Sequence, residues 1–187
     1  SILASSYLNA GHQTPRLGNE HPTIVPYQVF PAQDKYIIVA VGTEKLWAAF
    51  CRALEREDLQ NDPRFRTNAD RITHRAEITA LLNEHFQTQP AAYWLERLRA
   101  AGIPSGPINR IPETLAHPQH RARHFIVELE HPLIGIVKSL GNPVNLSDTP
   151  VHYRLHPPLL GEHTDSILTG LHYTPAQIEQ LRQEGVV

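Results

Sequence analysis

Two alternating apolar runs stand close together in the first third of the chain. Val25–Phe30 and Tyr36–Val41 are rich in β-branched and aromatic residues, with Pro31-Ala32-Gln33-Asp34-Lys35 between them. Such a pair predicts a β-hairpin with a longer loop. The period then changes to that of a helix. Thr43 precedes Leu46, Trp47, Phe50, Cys51 and Leu54, which share one helical face, so Thr43 is read as its N-cap. Asn61-Asp62-Pro63-Arg64-Phe65 reads as a turn. A second helix near 69–86 is expected to bury Ile72, Ala76, Leu81, Leu82 and Phe86. Thr88 and Pro90 are placed as cap and first-turn proline of a third helix, with Trp94, Leu95 and Leu98 inward and Gly102 just past its end. Two prolines and a glycine keep Ile103-Pro104-Ser105-Gly106-Pro107-Ile108-Asn109 out of any regular helix.

The rest of the chain is punctuated more heavily. Ile111–His124 has room for a short helix, and Phe125–Leu129 and Gly135–Leu140 alternate like paired strands. After Gly141 a proline-rich connection passes Pro143, Pro150, Pro157 and Pro158 and ends at Gly161-Glu162-His163-Thr164-Asp165. Two helices close the sequence, Thr164–Leu171 and Thr174–Glu184, the second with a capping box of Thr174 and Gln177 around Pro175. Ahead of the hairpin, residues 1–22 carry Gly11, Pro15, Gly18, Asn19, His21 and Pro22 and read as a loop or linker. No internal repeat and no long parallel βαβ series is visible. The fold class is therefore α/β, in the α+β sense of a hairpin and short strands packed with helices.

Composition narrows the function classes. A chain of 187 residues with 41% hydrophobic and 19% charged residues fills a core, as one domain or one domain and part of another. Lys+Arg 17 against Asp+Glu 19 gives a net charge of −2 without a polybasic run, which argues against a nucleic-acid partner. The longest apolar stretch, Tyr36–Val41, is too short to cross a bilayer, so no membrane partner is expected. A single cysteine excludes an intramolecular disulfide and a Cys-rich zinc site. These features describe a soluble, cytoplasmic globular chain. The absence of methionine and the opening Ser-Ile-Leu-Ala-Ser-Ser-Tyr-Leu suggest a start partway along a longer protein.

Candidate chemistry is sparse. No GxxxxGK[ST], GxGxxG or GxSxG occurs, so the usual signals of nucleotide binding and serine hydrolysis are missing. Cys51 falls on an apolar helix face, where a buried inert thiol is the default. His117, His120 and His124 are spaced for one face of a helix, a pattern that binds zinc, yet Pro118 interrupts it and no carboxylate completes the set. His152 and His156 share the spacing but sit in a proline-rich loop, so no metal site is assigned. Asp62 before proline suits an Asx turn, and Glu162, Thr164 and Asp165 suit a helix N-terminus. Gly18-Asn19-Glu20-His21-Pro22 groups polar residues on a loop, the kind of place where ligands are met.

Several of these segments together resemble the C-terminal half of the family III CoA-transferases, the formyl-CoA transferase or CaiB/BaiF group. They are Arg16–Pro22 with Pro26-Tyr27-Gln28-Val29-Phe30, then Asn61–Phe65 with Thr67-Asn68 and Arg71, then Ala101–Asn109 and His131-Pro132-Leu133-Ile134-Gly135, and last Pro157–Asp165 with the terminal Gly185-Val186-Val187. The match runs in order over nearly the whole chain. Within the family, His21-Pro22 to Phe30 is most similar to the succinate–hydroxymethylglutarate CoA-transferase branch.

The resemblance implies transfer of CoA from an acyl-CoA to a free carboxylic acid. An aspartate carboxylate attacks the thioester to give a mixed anhydride, and CoA thiolate returns to form an aspartyl-CoA thioester. The acceptor acid repeats these steps in reverse. A weak nucleophile must be held against the carbonyl, and the anhydride must be kept dry, which gives a covering loop its purpose. It further implies acyl-CoA as substrate without a permanently bound cofactor, a Rossmann-like large domain, and a homodimer of interlocked chains. On that reading residues 1–22 are a linker, 23–125 the small domain, and 126–187 a segment returning to the large domain. The attacking aspartate and most CoA-gripping residues of the family lie in an N-terminal half without counterpart here. Asp34, Asp58, Asp62, Asp70, Asp148 and Asp165 match other positions, so no catalytic residue is expected in this chain. Gly18, Asn19, Glu20, His21 and Pro22 become the substrate-proximal loop, with one glycine where some relatives have several. Two other readings remain at this level, an acyl-CoA racemase relative of the same fold and a non-enzymatic binding or dimerisation module.

Overall fold

The computed structural model describes residues 2–187; Ser1, the first residue of the segment read as a linker, lies outside them. Two compact units follow one another, the first ending at Asn109 and the second beginning at Arg110.

In the first unit, α1 (Ile2–Ala10) is a helix with no buried residue, so the stretch read as a loop starts as a helix instead. Nothing breaks the backbone until Gly11, which closes the helix at φ +65° with its N–H on the Tyr7 carbonyl. The predicted hairpin forms as β1 (Tyr27–Pro31) and β2 (Tyr36–Ala40), antiparallel with Val29 opposite Ile38. A third strand, β3 (Ser105–Pro107), adds to the far side of β2. Its Pro107 is compatible with an edge strand, and part of the stretch predicted to avoid helix thereby becomes sheet.

Helices cover one face of this sheet. α2 (Glu44–Ala53) is capped by Thr43, whose hydroxyl accepts from the Leu46 N–H at 3.2 Å, and it buries Trp47, Phe50 and Cys51. After α3 (Glu57–Asn61), the helix expected near 69–86 is two helices, α4 (Asn68–Thr73) and α5 (Arg75–Phe86), broken at His74. Its inward stripe is shifted from the predicted one. Arg71, Ile78, Leu82 and Phe86 are buried, whereas Ile72 and Ala76 face solvent. Arg71 takes the inward place because three acceptors and an aromatic ring wait for it there, as described below.

Trp94 and Leu98 of α6 (Ala91–Ala100) complete the core. Thr88 is not the cap of α6: its hydroxyl bonds the His85 carbonyl, and Asp34 of the hairpin loop accepts the Ala91 N–H at 2.7 Å. Gly102 does end the helix, at φ +71°.

In the second unit, the stretch expected to hold one short helix folds as α7 (Ile111–Leu115) and α8 (Pro118–Ala122). β4 (Ile126–His131) pairs with β5 (Gly135–Leu140) as an isolated antiparallel hairpin. The proline-rich stretch leads to α9 (Thr164–Gly170) and α10 (Pro175–Gln183), the latter with the capping box of Thr174 and Gln177 in place. No helix among the described residues is long and apolar enough to cross a membrane.

Candidate functional site

The five loop residues singled out in the sequence are held together along the outer edge of β1. Gly18 makes the turn at φ +60°, a conformation that favours glycine, and the Glu20 N–H donates to the Leu17 carbonyl at 3.0 Å. Asn19 then leans on the strand, its Oδ1 accepting the Val29 N–H at 2.9 Å, and the His21 N–H donates to the Tyr27 carbonyl at 2.9 Å. Because β1 has β2 on only one side, these two bonds satisfy groups that would otherwise stand open at a sheet edge. The His21 ring lies parallel to the Tyr27 ring, 5.1 Å between centroids and 6° between planes.

The other side of this segment is gripped by three side chains spaced along α4 and α5. Arg75 donates from Nη2 to the carbonyls of His21 at 3.0 Å and Pro22 at 3.1 Å, and from Nη1 to the Glu20 carboxylate at 3.3 Å. Asn68 donates to the Thr23 carbonyl at 2.8 Å and accepts the Val25 N–H at 3.0 Å. Arg71, 1% exposed, donates from Nε to the Val25 carbonyl at 2.7 Å and from Nη1 to the Phe65 carbonyl at 2.9 Å and Glu44 at 3.0 Å. Its guanidinium also lies 4.6 Å from the Trp47 ring centroid. A buried cation is costly unless its donors are matched, and here they are. Sequence reading found the loop but assigned no role to Asn68, Arg71 or Arg75. The available signal was a single stripe, positions 68, 71, 75, 78, 82 and 86, that is polar at its start and apolar afterwards.

All of the aspartates except Asp148 are engaged in caps, turns or ion pairs. Asp34 caps α6. Asp62 makes the expected Asx turn, its Oδ1 accepting the Arg64 N–H at 2.9 Å, and the Arg64 side chain holds its carboxyl below the usual carboxylate range. Arg64 also reaches Glu77 at 2.7 Å, and Glu77 meets His74 at 2.8 Å. Asp58 is lowered by its bonds from Arg56 and Asp70 by the Thr67 hydroxyl. Asp165 pairs with Arg182, and Asp148 is exposed in the proline-rich stretch. Cys51 is buried, and burial pushes its thiol up to about 12, so the sulfur stays protonated and a poor nucleophile.

In the second unit His117, His120 and His124 do not lie together on one helix. His117 is the N-cap of α8, with Nδ1 accepting the Gln119 N–H at 3.1 Å, and His124 lies past the helix at φ +50°. No group of three metal-ligating side chains suited to an ion occurs among the described residues. Glu162 does not cap α9. Its carboxylate accepts the Leu159 N–H at 2.7 Å and faces His156 at 3.4 Å, while His163 occupies the N-cap position without a side-chain bond.

Comparison with known proteins places this geometry in context. A family model described as CoA-transferase family III matches residues 2–164. Succinyl-CoA:glutarate CoA-transferase of Homo sapiens is 35% identical over 188 aligned positions, covering 100% of this chain and 43% of that protein. Acetyl-CoA:oxalate CoA-transferase of Acetobacter aceti is 37% identical, over 81% of this chain and 38% of its own length. Among solved structures, a CaiB/BaiF family protein from Brucella suis matches with a TM-score of 0.77 at 33% identity, covering 91% of this chain and 44% of that one. The chain thus spans less than half the length of these relatives. With a family match over most of its residues, this chain belongs to CoA-transferase family III.

Proposed function

We propose that the chain is the small domain, residues 23–125, and the C-terminal return segment, residues 126–187, of an acyl-CoA:carboxylate CoA-transferase. In the complete protein CoA passes from an acyl-CoA donor to a free mono- or dicarboxylic acid. The aspartate that attacks the donor thioester lies outside this chain. Its carboxylate displaces CoA thiolate to give an aspartyl–acyl anhydride, and the thiolate then attacks the aspartyl carbonyl, releasing the donor acid. The acceptor carboxylate displaces CoA from the aspartyl thioester, and CoA thiolate attacks the acceptor carbonyl of the new anhydride, restoring the aspartate. This chain contributes the Gly18–Pro22 loop beside the acyl-CoA.

One observation carries the reading. Relatives named as CoA-transferases align with nearly all of this chain while extending to more than twice its length. The engagement of Asp34, Asp58, Asp62, Asp70 and Asp165 in caps, turns and ion pairs supports placing the nucleophile elsewhere. The apolar residues left exposed in the second unit, among them Leu133, Ile134 and Leu160, support a partner surface from the remaining chain and a second copy in a homodimer.

The test is turnover of succinyl-CoA with glutarate and with oxalate, by the complete protein and by this chain alone. Hydroxylamine attack on the aspartyl-CoA thioester, releasing CoA thiolate, then leaves an aspartyl hydroxamate that locates the modified residue by peptide mass. Turnover is expected from the complete protein only, with the captured residue outside the 187. Activity of this chain alone, or capture at one of its own aspartates, would overturn the proposal.

A further inference from the structure

We propose that Arg75 is a positioning residue for the transferase reaction, fixing the shape of the Gly18–Pro22 loop before acyl-CoA arrives. The inference rests on the reading of that loop as substrate-proximal. Three consecutive loop residues present acceptors to one guanidinium: the Glu20 carboxylate, the His21 carbonyl and the Pro22 carbonyl, at 3.3, 3.0 and 3.1 Å. A planar fork that meets three acceptors defines an orientation as well as an attraction.

The base of the fork is rigid. Arg75 opens α5, whose Ile78, Leu82 and Phe86 are all fully buried. Asn68 and Arg71 hold the chain immediately beyond, at Thr23 and Val25, so Arg75 is the outermost of three grips. The loop's other flank is fixed by Asn19 and His21 on β1. Between these anchors Gly18 and Asn19 remain exposed, and the Tyr27 ring that stacks on His21 is exposed as well. A loop anchored on both flanks presents a formed surface and loses little freedom on binding, which is how preorganisation tightens a complex.

Arg75 differs from Arg71 in a way that makes the idea testable. Its side chain is 17% exposed and serves no core residue, whereas that of Arg71 is 1% exposed and bonds the Phe65 carbonyl. Replacing Arg75 therefore releases the loop without opening the core.

The experiment uses the complete protein with Arg75→Gln and Arg75→Lys. Hydrogen exchange is followed at the His21 and Val29 amides, with the β2 amides as internal reference, alongside steady-state kinetics with succinyl-CoA. In Arg75→Gln the His21 and Val29 amides, both tied through the loop, are expected to lose protection while β2 keeps it. KM for acyl-CoA should rise about tenfold with kcat changed less than about threefold, and Arg75→Lys should recover part of the loss. Unchanged protection at His21 and Val29 overturns the positioning role and leaves the loop's place in the enzyme untouched. Lost protection with an unmoved KM overturns instead the reading of the loop as substrate-proximal, and the inference with it. A fall in kcat alone, or equal loss of β2 protection, marks Arg75 as merely structural and also overturns the inference.

Discussion

The two units of this chain use apolar residues in opposite ways. In the first, hydrophobic side chains from Val25 to Ile103 interlock into one cluster, with the Phe86 ring meeting those of Phe30, Phe50 and Trp94 at 5.1–6.2 Å. In the second, Ile178 is the one buried hydrophobic side chain among the described residues, while Leu133, Ile134, Ile136, Leu140, Leu160 and Leu171 stand open. Leu159, Ile167, Leu168 and Val187 line an open surface hollow of about 450 Å³. Yet β4 and β5 form as regular a ladder as β1 and β2. Backbone pairing can thus be specified locally by alternation and a turn, whereas burial has to be supplied by whatever lies opposite. A lone two-stranded hairpin is marginal in water, so elements of the second unit that face no core of their own point to a covering surface.

The largest effect that would separate the units comes from paired substitutions. Trp94→Ala removes a ring at the centre of the first unit and orphans the Phe86 carbonyl that its Nε1 donates to at 2.8 Å. It should cost this chain about 3–5 kcal/mol in urea unfolding. Leu160→Ser should stay within about 0.5 kcal/mol in this chain, because that side chain is fully exposed. In the longer protein proposed above, where this side chain would be covered, the same Leu160→Ser should cost about 1.5–3 kcal/mol. Equal, negligible values for Leu160→Ser in both would remove the contrast between the units.

A second substitution probes the grip within the first unit. Arg71→Met keeps much of the volume against Trp47 but leaves the Val25 and Phe65 carbonyls without their donor. Glu44, half exposed, can return to water, so the penalty falls on the two carbonyls and should be about 3 kcal/mol. A loss below about 1 kcal/mol in chemical denaturation would mean that water or repacking replaces the guanidinium.

The same contrast explains what was legible beforehand. Thr43 as cap, Trp47, Phe50 and Cys51 as an inward face, Gly102 as terminator and the capping box at Thr174 all depend on neighbours within one or two turns, and all formed. What escaped depends on distant partners. Arg71 displaces Ile72 from the core because Val25, 46 positions away, offers its carbonyl. The third strand needs β2 beside it before Ser105-Gly106-Pro107 becomes sheet. The helix at Ile2–Ala10 was hidden differently, by weighing the glycines and prolines of the stretch as a whole when they begin only at Gly11. For the candidate site, Gly18–Pro22 was recognisable from its polar residues. Its main holder, Arg75, was not, since two of its three acceptors are backbone carbonyls that leave no mark in residue type.

A smaller test isolates one such distant partner. Asp34→Ala should destabilise this chain by about 1 kcal/mol through loss of the α6 cap, and Thr88→Ala by clearly less. Thermal melts of the two variants, run side by side, would restore the sequence-based cap if their order were reversed.

The smallest expected effect concerns pH. His85 sits between α2 and α6, its Nε2 at 2.9 Å from the Leu54 carbonyl and its ring 5.0 Å from that of Trp94. Burial lowers its pKa below the ordinary histidine value, with Arg56 adding repulsion and the Leu54 bond opposing both. The unfolded chain therefore takes up this proton at a higher pH than the folded one. Its contribution to stability is complete above about pH 6.5 and is lost as pH falls through the lower folded value. His85→Gln offers an amide N–H to Leu54 without titrating, so its urea midpoint should drop less than that of the natural chain between pH 7.5 and 5.5 (a range of about two units around the free value). An equal drop in the midpoints of His85→Gln and the natural chain would place the acid sensitivity elsewhere than at this packed histidine.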